Sequence, residues 1–570
     1  MPDRIDPFLP LAAVVAPDDA PPPRRLDVAV LVALVLMLAT VAYALRCGTP
    51  LIWDGSYQLG EMLIAGEPYA YLTRFHTLIV WRPVVWAMRW TDDVPTLQAI
   101  YGAPFLLAPV VGLAASWWFV RRRQPGLVVW AAVGILATAL PGQIFVINDS
   151  VFQQHLFWPV FVGLLVPLTR PQRVAWYGLV VFQFAHQIGL VLLAGGCGAA
   201  LLVALFARDR ADRRRLLLAA ALAALLAAAM AGKVWLTSRP TSPYYDSFAA
   251  AEATWQVAQQ RWWRSVTGLP FRGLKLVYLA AALLALHGWL AGGGKQAVGA
   301  GRARRRLAAG AAGLTVLAIV GVALVWGYWS GDPRRWEGAI DYRRWVVPLT
   351  VPAFLLATVE VAVRARRKGP SGSSPVADTT NPNLLHRPAR EGGVVTGTGR
   401  SESTGPHPSG WGNAGGRNAA LSGVGPLALR SVVVVLLAGL FALVLARQSR
   451  GYKALADRLA ANLAASPATL VRVGPDHGWL NGTPLDHWPI TWLALELQGK
   501  RPTKWFVSPE LKPGQLDLVR DPRRPLVAVS QWSVIPPTPG PGGWFDLRDL
   551  AARAAEELKA AESKSPTDVR

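Results

Sequence analysis

Apolar runs bounded by polar or basic positions recur along the chain. The runs 26–46, 97–120, 126–146, 154–169, 216–236, 273–292, 307–330, 345–363 and 431–446 approach the ~20 residues that an α-helix needs to cross roughly 30 Å of hydrocarbon. The stretch 174–207 is too long for one crossing and begins and ends beside basic clusters. Dividing it at His186 and Gln187 gives a short outward helix and a short inward one. The pattern predicts an all-α polytopic membrane bundle of about eleven transmembrane helices. No small-residue cleavage site follows the first run, so it is expected to be a retained span rather than a signal peptide.

Basic clusters assign the sides. Arg24 and Arg25, Arg121 to Arg123, Arg170 with Arg173, the RDRADRRR run at 208–215, Arg302 with Arg304 to Arg306, and Arg364 to Lys368 fall on one face in an alternating topology. By the positive-inside rule that face is cytoplasmic. The expected organisation is then a cytoplasmic tail at 1–25 and a bundle at 26–366 whose outer loops include 47–96 and 331–344. A disordered Gly/Ser/Pro-rich cytoplasmic linker at 367–427 and a last span at 428–447 follow. Residues 448–570 change character again. An amphipathic helix at 451–465, β-rich runs at 468, 504 and 525, and helices near 488–499 and 546–562 suggest a small C-terminal α/β domain outside the cytoplasm.

Composition fits this reading and removes others. Hydrophobic residues make up 52% of the 570 and charged residues 16%, too few charges for an ordinary soluble protein. The net charge of +23 would suit a nucleic-acid binder if the basic residues formed one patch, but they flank apolar runs, so no nucleic-acid partner is implied. Two cysteines build no disulfide framework, and Arg46 ahead of Cys47 argues against lipidation there. Many of the 25 tryptophans, among them Trp90, Trp117, Trp118, Trp158 and Trp345, stand near the ends of apolar runs and read as interfacial anchors.

The predicted spans are nearly free of ionisable groups; Glu360 and Lys233 lie near their ends and His287 lies within one. Polar density collects at the outer face. In the loop from 52, a helix would put Asp54, Tyr57, Gln58 and Glu61 on one side, although Gly55 and Gly60 argue against an unbroken helix and the acids could serve only as caps. Phe75 to Trp90 mixes large apolar residues with His76, Arg82 and Arg89, as a helix lying in the headgroup plane would. Arg334, Arg335, Arg343 and Arg344 sit outside against the charge bias, where guanidinium groups could bind a lipid phosphate or pair with local acids. Asp149 and His155 occupy the outer end of another span, and His186 marks an outward turn. No His/Asp/Glu cluster has metal-ligand spacing, and no P-loop, GxGxxG, GxSxG or HExxH motif is present; a divalent metal is left open without support from spacing.

A first span leading into a long outer loop with an early acid (WDGSYQLGE), many spans with short loops, and a late outer loop with arginines (AIDYRRW) together resemble the GT-C superfamily of polytopic glycosyltransferases. The chain looks most like bacterial membrane proteins of that form. The resemblance covers the architecture of residues 26–363, through motifs of low specificity, and departs from the pattern of adjacent acids in the first loop, since Gly55 follows Asp54. It implies an enzyme of the bacterial inner membrane that transfers a sugar from a polyprenyl-phosphate donor to an acceptor on the extracytoplasmic side. Asp54 would be the base, and Glu61 or Asp92/Asp93 would have to supply the missing second acid. Arg343 and Arg344, backed by Arg334 and Arg335, would clamp the phosphate, and His76, Asp149, His155 and His186 would line the cavity. Membrane lipids and the lipid-linked donor are the implied partners. A lipid-glycan flippase and a noncatalytic membrane scaffold are the competing classes.

Overall fold

The computed structural model describes residues 24–52, 54–68, 76–142, 147, 149–186, 188–237, 353–366 and 425–465, then parts of 467–507 and residues 556 and 560. The spans expected at 273–292 and 307–330, the late outer loop and most of the linker lie outside them.

The described bundle begins with α1 (Arg24–Arg46), a 3-10 turn at Thr49–Leu51, and three short helices, α2 (Asp54–Ala65), α3 (His76–Val80) and α4 (Arg82–Ala87). It continues with α5 (Val94–Val120), α6 (Leu127–Gly142), α7 (Asp149–Leu165), α8 (Arg170–Val181), a 3-10 turn at Phe182–Phe184, α9 (Ile188–Phe206) and α10 (Arg210–Thr237). Helix α11 occupies 353–366 and α12 runs from Gly425–Ala465. Five of these, α1, α5, α9, α10 and α12, are long and apolar enough to cross a membrane. The protein is therefore helical in its described part and carries the signature of a multi-pass membrane protein.

Helix α7 is the axis. Its side chains from Val151 to Leu165 are buried except Gly163, as expected of a helix apolar on every side. Trp158 corrects its interfacial assignment: it is fully buried at mid-helix, its indole lying on Gly134 of α6. Aromatic rings continue the packing, with Phe161 4.4 Å from Phe354 of α11.

Hydrogen bonds fix which helix ends lie together. At one end, Gln172 donates to the Trp118 carbonyl (2.7 Å), and Arg215 donates to the carbonyls of Leu164 (3.4 Å) and Leu165 (2.8 Å). A guanidinium there satisfies the open carbonyls of α7 and its negative dipole end. Glu360 gathers Arg364 (2.7 Å), Arg430 (3.0 Å) and the Trp130 indole N–H (2.7 Å). The basic clusters at 121–123, 170–173, 208–215 and 364–366 thus share one end. At the other end, Gln98 donates to the Leu45 carbonyl (3.0 Å), Thr49 to Ser449 (2.8 Å), and Lys233 to the Phe184 carbonyl. Helices α1 and α12 run parallel between these ends.

Sequence pattern separates a last span from an amphipathic helix at 451–465, yet α12 is one 41-residue helix, roughly 60 Å long. Gly439 and Gly451 are weak interior positions, each at a cost of about 1 kcal/mol, and Gly451 stands where the two segments meet. The buried stripe Tyr452, Leu455, Leu459 and Leu463 offsets that cost. Beyond it, β1 (Leu470–Arg472) pairs in parallel with β4 (Trp505–Val507), and β2 (Trp479–Leu480) pairs antiparallel with β3 (Thr483–Pro484). Between them α13 (His487–Leu497) packs on α2.

Candidate functional site

Three helix starts meet at the end opposite the basic clusters. Asp149 opens α7, where a carboxylate suits the positive end of the helix dipole. His76 opens α3, is fully buried, and donates through Nε2–H to Asp149 Oδ1 at 2.7 Å. Its ring stacks on Phe152, one turn into α7, with centroids 6.0 Å apart. Helix α2 starts at Asp54 beside them. A Cβ on Gly55 would stand 1.8 Å from the Pro50 carbonyl oxygen and 3.2 Å from Ile147 Cγ1, so only glycine lets the start of α2 wedge between the 3-10 turn and Ile147, two residues ahead of α7. The Asp54 side chain falls outside the described set.

The glycines that argue against a continuous helix at 54–65 are thus points of close approach within one. Gly60 does for α13 what Gly55 does for the turn: its Cβ would lie 2.3 Å from the Trp492 ring. The side expected to carry Asp54, Tyr57, Gln58 and Glu61 is divided between neighbours. Gln58 accepts from the Tyr101 hydroxyl of α5 (3.3 Å), whereas Tyr57 meets Trp492 of α13 edge-on, centroids 5.8 Å apart. Glu496 of α13, fully buried, has burial pushing its carboxyl well above the usual carboxylate range, offset in part by the adjacent Gly60 backbone amide. Neither of its oxygens has a well-formed hydrogen bond among the described residues.

Glu61 is half-buried, and its Oε1 has no hydrogen-bond partner among the described residues. Burial raises its pKa from 4.5 to about 7. The folded state therefore holds a proton that the unfolded state releases between these values, and stability falls as pH rises through that window. Glu61→Gln is expected to match the parent at pH 4 and to exceed it by about 2–3 kcal/mol at pH 8. Thermal melts at both pH values check this; coincident melts at pH 8 would show a hydrated carboxylate.

Farther along α7, Gln153 donates to the Gln183 carbonyl and accepts from the His186 backbone N–H (3.1 Å), while His186 Nδ1 accepts from the Ile188 N–H (3.2 Å). Gln153 thereby ties the turn between α8 and α9 to the same end of the bundle. His155 lies deeper, buried, with neither ring nitrogen partnered among the described residues. The structure thus brings His76, Asp149 and His186 to the end of α7 away from the basic clusters and puts Glu61 on the neighbouring α2. Arg334, Arg335, Arg343 and Arg344 lie outside the described residues. Among those described, no group of three or more His, Cys, Asp or Glu could hold a metal ion.

The sequence singles out Gln153, with Asp149 and His155, as a polar group at the end of a span but not as a tether, and it marks neither Trp492 nor Glu496. A glutamine beside a predicted turn was the available signal for the first; nothing in linear order joins residue 60 to residue 492. Compared with protein-family models, curated proteins and solved structures, the chain matches none of them.

Proposed function

We propose that the chain is an integral membrane glycosyltransferase of the GT-C form, which moves a sugar from a polyprenyl-phosphate donor to an acceptor at the membrane face opposite its basic clusters. The observation that carries the reading is the buried His76–Asp149 pair beside the start of α2, at the end of the bundle away from the arginines at 121–123 and 208–215. In a direct displacement the acceptor oxygen bonds to the anomeric carbon as the bond from that carbon to the phosphate oxygen breaks. The acceptor proton passes to a carboxylate, and polyprenyl phosphate departs with the electron pair. Asp54 is the proposed base. Glu61, with its pKa raised to about 7, is the companion acid, since a group titrating near the working pH is best suited to proton transfer. His76, Asp149, His155 and His186 orient the sugar and acceptor, and Arg334, Arg335, Arg343 and Arg344 hold the leaving phosphate.

The test uses membranes containing the full chain and a radiolabelled polyprenyl-phosphate sugar. Asp54→Asn is expected to lower transfer by about 10²–10⁴-fold without loss of membrane insertion. Arg343→Ala is expected to raise the donor concentration needed. Retained transfer removes Asp54 from the role of base, and an unchanged donor dependence removes the clamp.

A further inference from the structure

Residues 76–90 form a two-helix segment with two distinct sides. Thr77, Val80, Trp81, Val84, Val85 and Met88 face inward. Trp81 stacks on Tyr101 and Phe105 of α5, with centroids 5.2 and 5.7 Å apart. Leu78, Ile79, Arg82, Trp86, Arg89 and Trp90 form the outward side. Trp86 and Trp90 are 57% and 86% exposed, far beyond the usual accessibility of such rings. The segment begins at His76, bonded to Asp149, and ends just before Asp93, whose carboxylate caps α5 through the Thr96 N–H at 3.0 Å. Both ends are anchored at the arginine-poor end of the bundle, so the segment lies across that end rather than through it.

An apolar stripe interleaved with arginines, at the end of membrane-crossing helices, has the composition of the headgroup layer. Residues 76–90 contain no acid, and the nearest ones, Asp92 and Asp93, follow the segment. Trp86, Ala87, Arg89 and Trp90 line an open, almost wholly apolar cleft of about 410 Å³. Guanidinium groups grip phosphate oxygens in pairs, and indole rings settle at the level of lipid phosphates.

We propose that this cleft and the Arg82–Arg89 stripe bind the phosphate headgroup of an anionic phospholipid in the outer leaflet, holding α3 and α4 flat on the membrane. The site is independent of the transfer reaction: it takes a bulk lipid of the bilayer rather than the lipid-linked donor, and its test needs no turnover.

The experiment uses the full chain in nanodiscs containing phosphatidylglycerol in phosphatidylcholine. A spin label at Ile79→Cys, with Cys47 and Cys197 replaced by serine, is expected to report headgroup-to-upper-acyl depth, and a label as water-accessible as one in bulk solvent overturns the proposal. Affinity for phosphatidylglycerol is expected to fall about 30-fold when Arg82→Gln and Arg89→Gln are combined, near fivefold for each cation at an anionic surface. Arg82→Lys with Arg89→Lys keeps the charge but not the paired donors and is expected to recover only part of the affinity, whereas full parent affinity in the lysine pair overturns the guanidinium assignment. Millimolar inorganic phosphate is expected to leave the bound lipid in place; displacement by free phosphate would identify a soluble-anion site and overturn the lipid proposal, as would unchanged lipid affinity in the glutamine pair.

Discussion

Glu360→Ala is expected to destabilise the described bundle by about 2–4 kcal/mol, since removing one member of a buried charge cluster leaves its partners uncompensated. Glu360 is the only acid joining α6, α11 and α12 among the described residues: Arg430 and the Trp130 indole reach it from separate helices, and Arg364 from its own. Its side chain is 14% exposed, against 28% for Arg430 and 38% for Arg364, which places the expected cost below that of a fully buried triad. Glu360→Gln still accepts from Trp130 and should fall between the parent and the alanine variant. Thermal unfolding in detergent, followed by retention of the monodisperse species, measures the difference. Equal stability of the parent and both variants would show that the arginines are satisfied by solvent.

Asp149→Ala is expected to separate folding from chemistry at the end of the bundle away from the basic clusters. It leaves fully buried His76 without its Nε2 acceptor; Nδ1 already has no partner among the described residues. An unsatisfied buried donor costs about 1–3 kcal/mol. Asp149→Asn keeps an acceptor for His76 but removes the charge. Under the proposed function, the asparagine variant melts within about 1 kcal/mol of the parent and loses transfer by about 10²-fold or more. If the asparagine variant transfers normally, Asp149 serves packing alone.

The features written in local order were legible in the sequence. Runs of apolar residues marked α1, α5, α9 and α10, because a helix in lipid must satisfy its own backbone and cover itself with apolar side chains. His186 marked the turn after α8, since the stretch 174–207 is too long for one crossing, although α8 itself is too short to be counted among the helices able to span a membrane. His76 and Asp149 could each be singled out as polar groups at the outer ends of apolar segments, but their pairing could not, because 73 residues of intervening chain carry no signal of their contact. Gly55 and Gly60 were misjudged for a related reason. Their cost to a helix is visible in sequence; the Pro50 carbonyl and the Trp492 ring that demand them come from other segments. Trp158 likewise carried the composition of an interfacial ring, while Gly134, which admits it to the core, stands on another helix.

The account rests on the His76–Asp149 end and the basic end of the bundle facing opposite sides of a membrane. Two single-cysteine variants built on the Cys47→Ser, Cys197→Ser chain test this directly: Thr91→Cys, just before α5, and Arg122→Cys, just after it. With a membrane-impermeant maleimide on intact cells, the cysteine at 91 is expected to react and that at 122 to react only after permeabilisation. Labelling of both from one side, or the reverse order, would contradict the account.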